Sequence, residues 1–133
     1  MRGKKGGVAC GDQVAIQLTT AGQGVIEIIQ PRTSLLYRSD AFKEKIIAAN
    51  VTQVIIVVAA IPSFSEELIN RCLVAAESAN ISVLIVLNKA DLVEPTQAAM
   101  KTLSIYQDLG HPVLQLSALG DISTLHPYLA GHL

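Results

Sequence analysis

Alternating apolar and polar positions fill the first third of the chain and predict short β-strands. Residues 14–18 alternate with a period of two, residues 21–24 are typical of a tight turn, and residues 24–29 predict a second strand. Pro31 ends this hairpin, and residues 35–38 predict a third strand or an extended exit segment. Because two or three strands cannot bury a face by themselves, we expect a small or incomplete β-barrel here.

The rest of the chain alternates between apolar runs and amphipathic stretches. The apolar runs are rich in β-branched residues, which is typical of strands buried on both faces of a parallel sheet. Ser63 and Glu66 match a capping box and predict the start of the first helix. In order, the predicted elements are strand 52–60, a helix from 63, strand 83–87, helix 95–109, strand 113–116 and helix 122–129. This alternation predicts a parallel three-layer α/β arrangement with right-handed crossovers.

The length of 133 residues, half of them hydrophobic, predicts one ordinary packed domain or two small ones. The apolar runs are far shorter than the roughly 18 residues that a membrane-spanning helix needs, and the start lacks the apolar segment of a secretory signal. We therefore expect a cytoplasmic protein with no membrane partner. Three parallel strands are about half of a usual sheet, so we also interpret the chain as a piece of a longer protein.

The near-zero net charge hides a division along the chain. Residues 1–48 contain seven Lys and Arg against four Asp and Glu, a net charge of +3. Residues 49–133 contain three Lys and Arg against seven Asp and Glu, a net charge of −4. A basic first third beside an acidic remainder favours a module that faces nucleic acid, attached to something of another kind. The alternative is a set of solvated surface lysines that bind nothing.

A four-residue motif, Asn88-Lys89-Ala90-Asp91, directly follows the second buried strand, where open α/β sheets bind their ligands. Asp91 can accept hydrogen bonds from both N1–H and the 2-amino group of guanine, whereas adenine offers neither donor on that edge. Asn88 can reach the base edge, and the aliphatic stem of Lys89 can cover the base plane. The motif therefore predicts a guanine-binding loop. The alternative is a surface turn in which Asn88 and Asp91 cap the next helix.

A second loop is predicted after the third strand, where Ser117, Ala118 and Leu119 stand. A tight turn at this strand end can aim the backbone N–H of Ala118 at guanine O6. Such a turn is a weak signal alone, and it gains weight because it follows the Asn88 motif after one intervening helix. The two loops together predict selection of guanine over adenine.

The chemistry of hydrolysis and of metal binding has no motif in this sequence. Gly-x-x-x-x-Gly-Lys-Ser/Thr and Asp-x-x-Gly, which would supply the phosphate cradle and a magnesium ligand, are absent. We therefore predict no catalytic residue and no GTP hydrolysis by this chain alone. No metal site is predicted either, because His111, His126 and His132 lack ligand spacing and Cys10 and Cys72 stand far apart in the sequence.

The guanine motifs precede any phosphate loop, which inverts the order found in ordinary small GTPases. This order, together with Gly11-Asp12-Gln13-Val14 and Pro31-Arg32-Thr33-Ser34, resembles the RsgA family of circularly permuted GTPases over nearly the whole chain. The resemblance implies an α/β fold in which residues 1–48 form a partial OB-type, RNA-binding β-barrel. It implies that residues 49–133 form the first half of a circularly permuted three-layer P-loop GTPase domain with a parallel sheet. One departure is Leu119-Gly120-Asp121, where a lysine or arginine and a longer turn are common.

The resemblance also implies a function. GTP or GDP is the expected ligand, and the small ribosomal subunit (30S) with its rRNA is the expected partner in a maturation step. Magnesium and zinc are expected only in parts of such a protein that this chain does not contain. The expected guanine-binding residues are Asn88, Lys89, Asp91, Ser117, Ala118 and Leu119. The expected RNA-binding residues are Arg2, Lys4, Lys5, Arg32 and Arg38.

Two other functions stay open at this point. The chain can be a non-catalytic RNA-binding module with a passive α/β platform, whose affinity for rRNA falls steeply with salt. It can also be an α/β protein that binds ATP or a flavin, which competition between guanine and adenine nucleotides distinguishes. The unpaired edge of a three-stranded sheet further predicts self-association.

Overall fold

The computed structural model describes residues 7–20, 22–39 and 44–132. The chain divides into two compact units, one that ends at Thr52 and one that runs from Gln53 to His132. The first unit is built from antiparallel strands and the second from parallel strands and helices, which confirms the α/β class. No helix in the described part of the chain is long and apolar enough to span a lipid bilayer.

The first unit contains two antiparallel hairpins. Strand β1 (Val14–Thr20) pairs with β2 (Gln23–Ile29), and β3 (Leu35–Ser39) pairs with β4 (Glu44–Ala49). Each pair is its own two-stranded sheet, so the described residues form no closed barrel. The sequence pattern missed β4, because its Glu, Lys and Ala residues are depleted in strands and do not alternate with a period of two.

A set of loop contacts joins the ends of these hairpins. Asn50, at a positive φ of 57°, donates from Nδ2 to the Gly11 carbonyl at 2.9 Å and accepts from the Thr33 N–H at 2.8 Å. Gly11 has a φ of 89°, and a Cβ at this position would collide with the Ala49 carbonyl. Glycine is the residue that adopts this positive φ without strain and has no Cβ to collide with the carbonyl. The Gly11 and Asn50 pair therefore fixes the chain just before β1 against the end of β4.

The second unit is a three-stranded parallel sheet with the order β5-β6-β7. Parallel pairing follows from the predicted alternation of strands and helices and is confirmed. The elements are β5 (Gln53–Ala59), α1 (Glu66–Ser78), β6 (Ser82–Asn88), α2 (Val93–Asp108), β7 (Val113–Gln115), a 3₁₀ turn (Ser123–Leu125) and α3 (His126–Leu129).

The start of α1 differs from the sequence prediction. The N-cap is Ser65, whose Oγ accepts a hydrogen bond from the Leu68 N–H at 3.3 Å. Ser63, predicted as the cap, lies two residues earlier. Several Ser and Glu residues stand in this stretch, so the sequence offers more than one candidate cap, and the tertiary position of the helix decides among them.

The core of the second unit lies on the central strand. Leu84, Ile85 and Leu87 are fully buried on β6, because helices and neighbouring strands cover both of its faces. Strand β5 is less covered, and Val57 on it is 62% exposed. The buried central strand carries the carboxyl end from which the candidate site begins.

Candidate functional site

The candidate site lies where β6 and β7 end side by side. Beyond the paired strands, the Leu116 N–H donates to the Leu87 carbonyl at 3.0 Å. The Ala90 N–H in turn donates to the Leu116 carbonyl at 3.1 Å. The parallel pairing therefore continues into the two loops, residues 88–91 and 117–119, and holds them together as the sequence predicts.

Asn88 links the two loops through one side-chain oxygen. Its Oδ1 accepts from the Lys89 N–H at 2.8 Å and from the Ala118 N–H at 2.9 Å. From the sequence, the Ala118 N–H is expected to point at guanine O6, whereas in the structure it donates to Asn88. A base oxygen at this position would share the donor with Asn88 in a three-centre bond.

Asp91 faces the second loop. Its Oδ1 accepts a hydrogen bond from the Ser117 hydroxyl at 2.6 Å, a short charge-assisted contact. Ser117 Oγ also lies 3.4 Å from the Leu119 N–H, which donates to it. One carboxylate oxygen is thus fixed by the protein. Asp91 is exposed, so the rest of its accepting capacity is open to solvent.

The alternative role of Asn88 and Asp91 as helix caps is wrong. Helix α2 begins after Leu92, and no side chain makes a capping hydrogen bond at that end. Both polar side chains instead point across to the loop after β7. The motif therefore builds a two-loop site rather than a helix start.

Lys89 is held in an unusual conformation. Its φ is 63°, in the left-handed region that costs a non-glycine residue about 1 kcal/mol. Its Nζ donates to the Ile61 carbonyl at 2.9 Å, and its own carbonyl accepts from the Leu92 N–H at 3.0 Å. The Lys89 stem, expected over a base plane, therefore runs from the end of β6 to the loop after β5.

The Ser117 loop is closed by local contacts. The Gly120 N–H donates to the Ser117 carbonyl at 2.9 Å, and Asp121 accepts from both the N–H and the hydroxyl of Ser123 at 2.8 Å. These bonds lower the pKa of Asp121, chiefly through the Ser123 N–H. The side chain of Leu119 is 94% exposed, and its backbone N–H donates to Ser117 Oγ.

The five residues predicted to bind RNA differ in how the structure places them. Arg32 Nε and Nη2 donate to the two carboxylate oxygens of Asp12 at 2.7 and 2.8 Å, and Nη2 also reaches the Gly7 carbonyl. The hydrogen bond from Arg32 is the main cause that lowers the pKa of Asp12 to about 2. Arg38 is exposed. Three further predicted residues lie outside the described residues: Arg2, Lys4 and Lys5.

No metal centre is formed by the residues that the structure describes. Among them, no group of three or more His, Cys, Asp and Glu could hold a metal ion. Cys10 and Cys72 are both free thiols, one exposed and one half-buried.

The sequence missed the backbone partners of the site. The carbonyls of Ile61 and Leu116 anchor Lys89 and Ala90. Carbonyls carry no residue signature, so only the strand order and register could indicate them. The one available signal was that the loop after β5 leaves the same edge of the sheet.

Comparison with known proteins places the chain among its relatives. The family model described as RsgA GTPase matches residues 29–133. Two proteins named small ribosomal subunit biogenesis GTPase RsgA are similar to the chain. The protein of Nitrosospira multiformis is 62% identical over 100% of this chain and 42% of its own length. The protein of Nitrosomonas europaea is 53% identical over 98% of this chain and 43% of its own length.

A solved structure has the same fold. The crystal structure of YjeQ from Thermotoga maritima superposes with a TM-score of 0.73 at 31% identity, over 97% of this chain and 45% of that chain. The chain thus spans less than half the length of the relatives that it matches.

Proposed function

Since this chain belongs to the RsgA GTPase family, we propose that it carries the guanine-recognition half of a GTP- and GDP-binding site. The whole protein then acts as a GTPase in the biogenesis of the small ribosomal subunit, the role that its relatives' names state. The observation that carries the proposal is the pair of bonds between the loops, Asn88 to Ala118 and Ser117 to Asp91.

The division of labour within the chain belongs to the same proposal. Residues 1–48 are part of an RNA-binding barrel, and residues 49–133 are the first half of the permuted GTPase domain. The sequence contains no phosphate-loop motif, so the chain binds the base and does not hydrolyse GTP by itself. In this proposal, magnesium and zinc bind to parts of the protein outside this chain.

Base selection follows from the fixed carboxylate. Ser117 holds one oxygen of Asp91 at 2.6 Å, and the carboxylate accepts from N1–H and the 2-amino group of guanine. The Asn88 amide and the Ala118 N–H lie beside it through their mutual bond and meet the O6 and N7 edge. An adenine nucleotide leaves the Asp91 charge unpaired against its base edge, which disfavours its binding.

The test is a change of base preference. Asp91→Asn exchanges a double acceptor for an amide that can donate to the 2-oxo group of xanthine. Titrations of the 133-residue chain with GDP, XDP and ADP, followed by the amide shift of Ala118 in NMR spectra, measure the three affinities. We expect wild type to prefer GDP, and the variant to shift the ratio toward XDP by at least about tenfold.

Asp108→Asn is the matched control, because it removes the same charge from an exposed position at the end of α2. Its preference should equal that of wild type. Equal affinity of wild type for GDP and ADP would contradict the proposed guanine site. An unchanged base preference in Asp91→Asn would show that Asp91 does not select the base.

For the ribosomal partner, we propose that the basic side chains of the first unit contact rRNA phosphates. Arg38 is exposed on β3, whereas Arg32 is engaged by Asp12, so Arg38→Ala should weaken rRNA binding more than Arg71→Ala on α1. Removal of one arginine that binds a phosphate should make the slope of log affinity against log salt shallower by about one unit. Equal affinity and slope for both variants would exclude Arg38 from the interface.

We also propose that the edges of the parallel sheet allow this chain to self-associate. Strands β5 and β7 are the two edges, and β5 exposes Val57, so its backbone groups and an apolar side chain are open to a second strand. Light scattering should show concentration-dependent dimers. A monodisperse monomer over the same range contradicts this part of the proposal.

A further inference from the structure

We propose that Thr96 is a positioning residue of the guanine-binding loop, an inference that rests on the proposed function. Thr96 lies in the first turns of α2 and is 3% exposed. Among the residues that the structure describes, the buried side chains with a hydroxyl are those of Thr96 and of Tyr106, whose hydroxyl donates to Asn70. The Thr96 hydroxyl lies 3.5 Å from the Lys89 carbonyl oxygen, a long hydrogen bond, so a buried hydroxyl reaches back from the helix to the loop.

The Lys89 carbonyl, which accepts from the Thr96 hydroxyl, also takes part in the turn that contains Asp91. Lys89 has a φ of 63°, and a residue in this region needs its neighbours to keep it there. The carbonyl of Lys89 also accepts from the Leu92 N–H at 3.0 Å. Asp91 lies inside the turn that this bond closes. The direction of the Lys89 carbonyl therefore constrains the backbone from which the Asp91 side chain reaches Ser117.

The turn from Lys89 to Leu92 is also bonded to the start of α2. The Thr96 N–H donates to the Leu92 carbonyl at 3.0 Å while its hydroxyl donates to Lys89. One residue thus ties both ends of the turn to the rigid start of α2. A hydroxyl buried here without the Lys89 carbonyl would lose its hydrogen bond, which favours the loop conformation that presents this carbonyl.

Valine is the informative replacement, because it keeps the shape of threonine and removes the hydroxyl. Serine restores the hydroxyl without the methyl group. Thr96→Ala also removes the hydroxyl, and it replaces Thr96→Val in the experiment if the valine variant does not fold. Thr102→Val is the matched control, since it makes the same exchange two turns along α2 at a half-buried position.

The experiment compares GDP with IDP, whose base lacks the 2-amino group that Asp91 accepts. NMR titrations of the full 133-residue chain, well below its melting temperature, give the affinity ratio for each variant. We expect Thr96→Val to reduce the preference for GDP over IDP by about three- to tenfold. Thr96→Ser and Thr102→Val should keep the wild-type ratio.

A second measurement needs no ligand. Amide hydrogen exchange at Ala90, which donates to the Leu116 carbonyl, reports whether the Lys89 turn stays in place. We expect faster exchange in Thr96→Val and Thr96→Ala and wild-type exchange in Thr96→Ser. A merely structural Thr96 would lower the melting temperature and leave the nucleotide ratio unchanged.

The outcomes separate the two proposals. If wild type prefers GDP and Thr96→Val keeps the full preference, the positioning role is wrong and the guanine site stands. If wild type shows no preference among nucleotides, the guanine site is wrong. Exchange at Ala90 then decides alone whether Thr96 holds the turn, with unchanged exchange in Thr96→Val as the contrary result.

Discussion

At the scale of single residues, two aspartates show how similar side chains take different roles. Asp12 accepts from Arg32 on both oxygens and from the Ala9 N–H at 2.8 Å, and its side chain is 1% exposed. Asp91 is exposed and accepts from Ser117 on one oxygen. Both oxygens of the Asp12 carboxylate accept hydrogen bonds from the protein, so its role is structural. The Asp91 carboxylate keeps accepting capacity open to solvent, as the proposed guanine site requires.

The Asp12 ion pair predicts a loss of stability in acid. Its pKa is lowered from 3.8 to about 2, mainly by the hydrogen bond from Arg32. The pair therefore stabilises the fold fully above about pH 4 and loses this contribution as the pH falls through about 2. Urea unfolding of the first unit, followed at several pH values from about 5 to about 2, should show a falling midpoint.

Asp12→Asn provides the comparison. The variant should be less stable than wild type at about pH 6, and most of the difference should be lost by about pH 2, where about half of the folded wild-type carboxyl is protonated. A constant difference across this range would show that the ion pair is not what Asp12 contributes.

At the scale of elements, the sequence located most strands and helices, and local context set their ends. The alternation of residues 14–18 and the apolar run before Asn88 correspond to β1 and β6. Helix α2 begins at Val93, two residues before the predicted Pro95. Strand β4 was missed because it is held by pairing with β3, not by its own residue preferences.

The start of α1 gives a direct test of cap assignment. Ser65→Ala removes the acceptor of the Leu68 N–H and should lower the free energy of unfolding by about 0.5–2 kcal/mol. Ser63→Ala, at the position that the sequence favoured, should change it by less than about 0.5 kcal/mol. Denaturant unfolding of both variants measures the difference. Equal losses would place the cap elsewhere.

At the scale of the whole molecule, the stability of the second unit depends on its central strand. Leu84 and Val86 of β6 pack with Leu116, and Ile55 and Leu125 pack against them. Strand β5 lies at the edge of the sheet, and its residues are mostly half-buried. The strand that carries the candidate site is thus also the best packed.

Truncation of the central and the edge strand should have unequal effects. Leu84→Ala removes a fully buried side chain and should lower the free energy of unfolding by about 2–5 kcal/mol. Val57→Ala, at a position 62% exposed, should cost less than about 1 kcal/mol. Thermal unfolding of the two variants compares them, and similar losses would contradict a core centred on β6.

The sequence by itself determined most of the element types, with β4 as the exception, and also the parallel character of the second sheet and the Asn88-to-Asp91 motif, because these depend on local periodicity and residue chemistry. Only the tertiary structure decided how the motif is held. The bond from Ala118 to Asn88 and the anchor of Lys89 on Ile61 join residues far apart in the chain. Their partners follow from strand order and register, which burial of the whole sheet selects and no local pattern encodes.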